Sequence, residues 1–550
     1  MRTHLDEHAR RIAAVPSGLA TGRFVDGGRA VELLAAVIRS GDRVLIEGNN
    51  QKQARFLIRA AGHLDPAAIS GLHVLSSALV LPEHLAIFEK GLARRLDFAF
   101  SGPQAAPLAR LVQAGKVRIG AIHTYAELYS RYFTDLPPNV ALLAGELADR
   151  SGNVWLGANA EETPILTEAT HGAKGVVIVQ VEKVVDRLPR VDLPADRVDF
   201  VVEAHERPYV EALFTRDPAG ITTTQILMAM MTIKGVYAPY GVRSLNHGIG
   251  YATAAVELLL PTYGADVCRQ RGLCAHWVLN PHPTLIPAIE AGIVKSVCAF
   301  GSEPGTEDYI AARSDVFYTS PDGVLMSNRF ASQIAGHYAV DCFTGATLQM
   351  DGDGNSSTAV HGRIAGFGGA PNLGSSPPGR RHVTPAWLQA GREIAEATGD
   401  VASQQFFRGR KLSLQLTPTV SEKKGIPVFV DELDAVAMCR QGLFAVPPVM
   451  LYAEDVTHVV TERGIAFLLR CRNRDERRAC IRAVAGDTPI GRRAVQSETD
   501  ALRGRGVVLL PEDLEIRPED ARPEMLAARS MEDLVRISGG LYHPPREWRE

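Results

Sequence analysis

The sequence predicts an α/β fold with mainly parallel strands, divided into two domains. The 550 residues are too many for one hydrophobic core. Short apolar strands alternate with helical stretches along most of the chain, as they do in parallel α/β proteins. The almost continuous apolar run at residues 175–181 is typical of a parallel strand that is buried on both faces. The pattern weakens over residues 208–224, so we divide the chain into domains 1–230 and 231–550.

Each domain has its own series of predicted elements. In the first domain, strands are predicted at residues 44–47, 72–76, 98–101, 117–119, 140–144 and 175–181, and helices at 30–38, 54–61, 83–95, 105–114 and 126–133. In the second domain, a turn and helix at 246–260 precede strands at 296–300, 316–319, 412–416 and 456–461 and a helix at 475–484. We expect 456–461 to be the last strand and the tail after Leu510 to wrap partly around the domain.

Composition and charge exclude several classes of protein. The formal net charge of −3 gives no basic footprint for nucleic acid or for an acidic membrane surface. No apolar run approaches the ~18 residues of a membrane span, and the charged N-terminus is unlike a signal peptide. Seven scattered cysteines without a CxxC pair indicate reduced thiols in the cytoplasm. No HExxH motif or P-loop is present, and no metal site is predicted.

The most informative segment is glycine-rich and covers residues 362–374, with five glycines and one proline. Glycine reaches φ > 0 without steric cost and lets the backbone approach a ligand closely. Successive N–H groups in such a turn can converge on a phosphate or on the oxyanion of acyl transfer. We predict Gly368 and Gly369 as catalytic donors and Gly366, Phe367 and Ala370 as substrate-binding residues. The alternative is a tight surface loop.

A second donor-rich turn follows the predicted strand at 44–47. Gly48, Asn49, Asn50 and Gln51 lie between that strand and the predicted helix, where α/β proteins bind anions and reacting groups. We predict Asn49 and Asn50 as catalytic residues and Gly48 and Gln51 as substrate-binding residues. An Asn-rich turn that caps the helix is the alternative. The two turns lie in different halves, which predicts an active site between the domains.

Two histidines and one strand end have both a functional and a structural interpretation. His247 lies at a glycine-rich turn before a helix, and His361 flanks the main glycine loop. Either could act as an acid or base, or could be a hydrogen-bonded structural histidine. The run Val-Val-Thr-Glu-Arg-Gly-Ile-Ala at 459–466 predicts, on pattern alone, a strand-to-helix connection with a solvated Glu462.

These segments resemble the CoA-transferase superfamily over most of the chain. The matching stretches are the Gly48 turn and residues 149–157, 175–181, 246–250, 362–374 and 459–466. The last of them looks like the VVTExGxA stretch of acyl-CoA hydrolases and transferases. Residues 48–54 and 366–374 are most similar to malonate decarboxylase alpha subunits. The resemblance implies two CoA-transferase-like domains with an interdomain active site.

The resemblance also implies an activity and its partners. A malonate decarboxylase alpha subunit is an acyl-carrier-protein transferase that exchanges acetyl for malonyl on the carrier-protein thiol. The implied partners are an acyl carrier protein subunit, decarboxylase subunits, malonate and acetate. A dephospho-CoA-type prosthetic group is expected on the carrier protein, and no cofactor is expected to be bound covalently to this chain.

One departure from the superfamily pattern concerns the mechanism. Superfamily transferases use a glutamate that forms a covalent thioester, often just before a Val-Asp-Leu-x-Gly-like run. The similar run here is at 340–345 and follows Ala339, which implies that the nucleophilic glutamate is absent. Glu303 and Glu47 are possible substitutes. Malonate itself carries a carboxylate that could attack the acetyl thioester.

The second carboxylate of malonate needs a cation. Arg363, Arg243 and Lys52 are the candidates, and arginine suits bidentate binding of a carboxylate better than lysine does. Three other functions stay open: a conventional acyl-CoA transferase or hydrolase with a glutamyl thioester, a citrate lyase-type transferase subunit, and a non-catalytic subunit that docks the carrier protein.

Overall fold

The computed structural model describes residues 2–48, 51–321, 323–327, 340–373, 384–399 and 409–548. These ranges form two large, mainly parallel sheets with helices between their strands, which confirms the predicted α/β class. Within the described ranges, no helix is both long and apolar enough to cross a membrane.

The first large sheet has eight strands in the described ranges, and every neighbouring pair is parallel. Across the sheet the strands are Phe24–Asp26, Phe200–Glu203, Val176–Val181, Val140–Ala144, Arg43–Ile46, Leu72–Ala78, Ala93–Phe100 and Arg118–Ile122.

This sheet is buried on both faces. In strand Val176–Val181, Val176 and Ile178 pack into one hydrophobic core, whereas Val177 and Val179 pack into another. Since successive side chains of a strand point to opposite faces, both faces need apolar residues. This is why the strand could be predicted from a continuous apolar run.

The second large sheet also has eight strands in the described ranges. Across the sheet they are Ser296–Cys298, His276–Val278, Ser244–His247, Cys342–Gly345, Leu412–Leu416, His458–Thr461, Gly464–Phe467 and Val508–Leu509. The last two pairings are antiparallel and the others are parallel. The described ranges also contain a small mixed sheet and three antiparallel pairs of short strands. The mixed sheet consists of Lys183–Val185, Leu147–Asp149 and Val154–Trp155. The pairs are Tyr209–Val210 with Lys52–Gln53, Gln349–Met350 with Ser356–Ser357, and Ala359–Val360 with Arg363–Ile364.

Helices connect the strands and cover the sheets. The α-helices are Arg2–Ala13, Ala30–Val37, Arg55–Ala61, Glu83–Glu89, Ala105–Gln113, Tyr125–Tyr132, Thr163–Gly172, Thr223–Thr232, Ala238–Tyr240, Tyr251–Leu259, Ala265–Arg271, Ile286–Glu290, Glu307–Ala312, Pro385–Thr398, Asp434–Arg440, Arg474–Val484, Gln496–Gly504 and Met531–Ile537, and a π-helical turn covers Ile233–Tyr237.

Three predicted elements were wrong in extent or type. The helix predicted at 83–95 ends at Glu89, because Gly91 adopts φ +82° and the chain then enters strand Ala93–Phe100. Residues 316–319 form only isolated bridges rather than a strand. The strand predicted at 456–461 is not the last, since it turns directly into Gly464–Phe467, which pairs with Val508–Leu509.

Two further parts of the chain pack against the second sheet: the helix Thr223–Thr232, which links the two sheets, and the C-terminal tail. Helix Thr223–Thr232 begins with a capping box at Thr222, and its apolar side chains belong to the core of the second sheet. The division at 230/231 stays a prediction. The tail contributes buried side chains such as Leu534 and Tyr542 to the same core, so it is held on the domain.

Candidate active site

The predicted glycine-rich loop joins the two halves of the molecule. Gly366 pairs with Phe100, at the carboxyl end of a first-sheet strand. The carbonyl oxygen of Ala99 accepts hydrogen bonds from the N–H groups of Phe367 at 2.7 Å and Gly368 at 2.9 Å. A loop that belongs to the second half in sequence is therefore fastened to the sheet of the first half.

The two adjacent glycines of the loop differ in whether their N–H groups are bonded. The N–H of Gly368 is already bonded to Ala99, whereas the N–H of Gly369 has no hydrogen-bond partner among the described residues. Gly366 and Gly368 adopt φ +79° and +59°, a region that favours glycine. The two positive-φ glycines thus shape the turn, and Gly369, which borders the cavity, keeps an N–H group that the described residues leave unbonded.

A cavity of about 490 Å³ lies where the carboxyl ends of the two large sheets meet. In parallel α/β proteins, ligands bind at this edge of the sheet. The first half contributes Phe100, Gly102, Pro103, Tyr125, Leu213, Phe214 and Arg216, and the second half contributes residues that include Asn246, His247, Gly248, Ile249, Asn280, Phe343, Gly345, Thr358 and Met450. The wall is largely apolar, with a few polar groups that could orient a small anion.

The structure brings some of the predicted site residues together at this cavity. The predicted residues that border it are Arg363, Gly366, Phe367, Gly368, Gly369 and Ala370. Asn49 and Asn50 lie outside the described residues. Gly48 does not border the cavity, since its carbonyl accepts from the N–H of Ala78 on the neighbouring strand.

Arg243 lies far from the cavity along its strand. It immediately precedes strand Ser244–His247 and is exposed, whereas His247 at the other end borders the cavity. At about 3.3 Å per residue, the two ends are separated by roughly 13 Å.

Gln51 is a buried connector rather than a wall residue. Its side chain donates to Glu303 Oε2 and accepts from the amide of Asn280, which borders the cavity. Glu303 Oε1 accepts from the N–H groups of Phe214 at 3.0 Å and Thr215 at 2.7 Å, and from the Thr215 hydroxyl. Burial raises the pKa of Glu303 to about 8. Both carboxyl oxygens are engaged and the residue has no exposed surface, so no oxygen is presented as a nucleophile.

Glu47, the other possible substitute for a catalytic glutamate, is also held. Its carboxylate lies 3.1 Å from the ammonium of Lys52 and accepts from the N–H of Ala144 at 2.7 Å and from the Thr163 hydroxyl. Neither charged partner is exposed. Lys52 is therefore paired with Glu47. Ala339, which precedes the run at 340–345, lies outside the described residues.

His247 lies in a buried polar cluster beneath the cavity. Its Nδ1 and the Nδ1 of His282 are each 2.9 Å from Glu257 Oε1, and its Nε2 is 2.8 Å from the Tyr237 hydroxyl. Burial alone would raise the pKa of Glu257, but the two histidines lower it to about 2. Burial lowers the pKa of His247. Because both ring nitrogens are engaged, the structural interpretation of His247 is favoured.

His361 and the segment 459–466, the two other sequence features with a possible functional role, are structural in this molecule. His361 is exposed, does not border the cavity, and its backbone N–H bonds Asp434. The segment 459–466 is a hairpin between His458–Thr461 and Gly464–Phe467, so the expected strand-to-helix connection was wrong. Glu462 is not simply solvated, because it accepts from the N–H and hydroxyl of Thr419. Among the described residues, no cluster of His, Cys, Asp and Glu could hold a metal ion.

Arg216 borders the cavity and was missed by the sequence analysis. One terminal nitrogen donates to the carbonyls of Leu213 at 2.9 Å and Thr215 at 2.5 Å. The guanidinium lies 5.9 Å from the ring centroid of Tyr251. Arg216 stands in the segment 208–224, whose weak periodicity gave no reason to single it out. Its neighbour Pro218 marked that segment as a turn, which is the one signal that the sequence offered.

Comparison with known proteins agrees with the resemblance seen in the sequence. The family model that matches is described as “malonate decarboxylase, alpha subunit, transporter”, and it matches residues 1–550. The chain belongs to the malonate decarboxylase alpha-subunit family. The predicted family is thereby confirmed.

Relatives of the family include one with a named activity and two with crystal structures. The chain is 52% identical over 523 residues to an acetyl-S-ACP:malonate ACP transferase of Malonomonas rubra, covering 95% of this chain and 94% of the relative. It is similar to a subunit of a Pseudomonas malonate decarboxylase hetero-tetramer crystallised with malonate (TM-score 0.95, 53% identity, 100% and 98% of the two chains). It is also similar to the malonate decarboxylase alpha subunit of Acinetobacter baumannii (TM-score 0.94, 48% identity, 100% and 99%).

More distant structures share the fold of this family. The alpha subunit of a Streptococcus mutans citrate lyase has a TM-score of 0.58 at 14% identity, covering 96% of this chain and 88% of that one. An acyl-CoA transferase of Escherichia coli O157:H7 has a TM-score of 0.51 at 13% identity, covering 82% of this chain and 88% of that one. At these identities the similarity concerns the fold alone, and it agrees with the predicted CoA-transferase-like architecture.

Proposed function

We propose that this chain is an acetyl-S-ACP:malonate ACP transferase, where ACP is the acyl carrier protein. The identity of 52% to the named transferase, over nearly the full length of both chains, carries the proposal. The cavity between the two sheets supports it, because it offers a free backbone donor and a cation within a largely apolar wall. The proposed partners are the carrier protein with its dephospho-CoA-type arm, the decarboxylase subunits, malonate and acetate, in the cytoplasm.

The proposed reaction has two acyl-transfer steps. In the first, a malonate oxygen attacks the acetyl carbonyl, the C–S bond breaks, and a mixed anhydride and the carrier thiolate result. In the second, the thiolate attacks the malonyl carbonyl carbon, the bond between that carbon and the bridging anhydride oxygen breaks, and malonyl-S-carrier forms while acetate leaves with that oxygen. Malonate supplies the carboxylate nucleophile, and neither step consumes a proton.

Both steps pass through an oxyanion that needs a hydrogen-bond donor. We assign this role to the N–H of Gly369, since the N–H of Gly368 is engaged with Ala99. Gly366 and Gly368 hold the turn at positive φ, and Asn49 and Asn50 stay proposed donors outside the described residues. Loss of one such donor typically lowers the rate roughly a hundred- to a thousandfold.

A covalent glutamyl thioester is the competing mechanism. The hydrogen bonds that hold Glu303 and Glu47 argue against it, because neither carboxylate faces the cavity in this arrangement. Borohydride reduces an enzyme thioester, so inactivation that requires an acyl thioester would support the covalent mechanism.

The test is transfer of labelled malonate onto an acetylated carrier protein. We expect malonyl thioester to form with release of one acetate per transfer, and no inactivation by borohydride. Citrate in place of malonate tests the citrate lyase-type alternative. Carrier binding without any transfer would contradict the proposal and leave a docking subunit.

A further inference from the structure

Arg216 has the position and the unneutralised charge of an anion-binding residue. It borders the cavity, and no carboxylate of the described residues lies within ion-pair distance of its guanidinium. One terminal nitrogen is anchored to the carbonyls of Leu213 and Thr215. Burial lowers the pKa of Arg216, yet a guanidinium stays protonated in proteins. A partly buried cation without a carboxylate partner is costly, and an anionic ligand reduces that cost.

The segment that carries Arg216 is fixed from behind by Glu303. The carboxyl group of Glu303 accepts from the backbone N–H groups of Phe214 and Thr215, the two residues before Arg216. Glu303 is bound further by Gln51. Glu303 therefore positions the segment without forming an ion pair with the arginine, which leaves the guanidinium for a ligand.

The other acidic group near Arg216 is engaged as well. Glu257 acts on Arg216 through its charge, but its oxygens are bonded to His247, His282 and Thr284. Glu303 is held protonated near neutral pH by its raised pKa and Glu257 is bonded elsewhere, so neither carboxyl group forms an ion pair with Arg216.

The three cations expected from the sequence are less suited. Lys52 is buried against Glu47 at 3.1 Å. Arg243 is exposed at the opposite end of its strand, and Arg363 is an exposed residue at the edge of the cavity. An exposed ion pair contributes little because solvent screens it, whereas a half-buried guanidinium binds a carboxylate in a drier environment.

We infer that Arg216 binds the carboxylate of malonate that does not react, and so selects a dicarboxylate over acetate. The inference rests on the proposed function. The guanidinium fork matches the two oxygens of a carboxylate, and Gly369 on the same cavity is left for the reacting end. The malonyl product keeps this carboxylate and the acetyl group lacks it, so Arg216 stabilises the malonyl side of the exchange alone.

The experiment compares Arg216→Gln and Arg216→Lys with the wild type and with Arg517→Gln. Arg517 is an exposed surface arginine that pairs with Asp520 at 2.8 Å, so its variant controls for loss of one positive charge. Two reactions are measured with the full chain and acetylated carrier protein: transfer of labelled malonate, and exchange of labelled acetate into the acetyl thioester. The exchange uses the same thioester chemistry with a monocarboxylate.

We expect Arg216→Gln to raise the KM for malonate roughly ten- to a hundredfold, the usual effect of losing a hydrogen bond to a charged group. Acetate exchange and both reactions of Arg517→Gln should be unchanged. An unchanged malonate KM, or equal losses in both reactions, would overturn the inference.

The lysine variant keeps the test decisive if Arg216→Gln does not fold. Lysine retains the charge but loses the bidentate geometry, so a raised malonate KM with normal acetate exchange supports the inference and an unchanged KM overturns it. Failure of the proposed function has a different signature, since the wild type would then transfer no malonate at all.

Discussion

Gly366 and Gly362 form a matched pair that tests how the glycine loop is attached to the first sheet. Both have positive φ, +79° and +76°. An added Cβ at Gly362 would meet nothing within 4 Å, whereas at Gly366 it would lie 3.0 Å from Ala99 C and from Phe100 Cα, and closer still to the Ala99 carbonyl oxygen. Backbone atoms cannot move aside as the end of a flexible side chain can. The substitutions Gly362→Ala and Gly366→Ala therefore differ in one respect, the collision with the strand.

The expected costs follow from these contacts. A left-handed alanine costs about 1–2 kcal/mol, and Gly362→Ala should lose no more than that. Gly366→Ala adds separation of the loop from the strand, which breaks the hydrogen bonds of Phe367 and Gly368 to Ala99. Each bond contributes about 0.5–1.5 kcal/mol, so the total is roughly 2–5 kcal/mol.

Urea unfolding and malonyl transfer measure the two consequences. Gly362→Ala should transfer malonate normally, and Gly366→Ala should lose transfer because Gly369 moves with the loop. If the two variants were equally stable and equally active, the attachment of the loop to the first sheet would have no part in forming the site.

Three further predictions concern buried charges. For Glu303, whose pKa of about 8 lies above the ordinary 4.5, the stabilising effect is complete below pH 4.5 and is lost as the pH rises through 8. At about 1.4 kcal/mol per pKa unit, Glu303→Gln should remove a pH dependence of roughly 3–4 kcal/mol from unfolding free energies measured between pH 5 and pH 8, and equal slopes in both proteins would contradict this. Lys52→Met should cost about 3–5 kcal/mol in urea unfolding by leaving Glu47 buried and unpaired, and the double variant Lys52→Met/Glu47→Gln should recover most of it; no recovery would show that the cost is one of packing. His247→Ala should lower the thermal midpoint far more than His361→Ala, because it removes a buried partner of a carboxylate, and equal shifts would refute the structural role of His247.

The strands were predictable from sequence where burial alone determines them. Val176–Val181 has apolar side chains toward two cores, and that pattern is local. The end of the helix at Glu89 was missed although Gly91 is a local stop signal, because residues 93–95 were predicted as helix and their strand conformation depends on pairing with Leu72–Ala78. Pairing partners lie elsewhere in the chain, so the apolar spacing of one segment cannot reveal them.

The sequence predicted which types of residue form part of the candidate site, but it did not predict the contacts that those residues make. Glycine spacing at 366–369 indicated a turn with positive φ, but which N–H stays unbonded depends on Ala99, in the other half of the molecule. Pro218 marked a turn at Arg216, but an arginine in a turn is ordinarily solvated, so the sequence did not predict that it borders the cavity. Its cavity position results from the hold of Glu303 on the preceding backbone.

The contacts that build the cavity are also contacts between the two halves. Gly366 pairs with Phe100, Gln51 binds both Asn280 and Glu303, and Glu303 holds the segment that carries Arg216. Each contact satisfies a backbone group or a buried carboxyl group that would be costly to leave without a partner. Separation of the halves would break all of them together, so docking of the halves and formation of the cavity are one event. This coupling explains why the loop that carries the proposed oxyanion donor is glycine-rich: it must reach the opposite sheet closely enough to bond its backbone, and a side chain at Gly366 would prevent that approach.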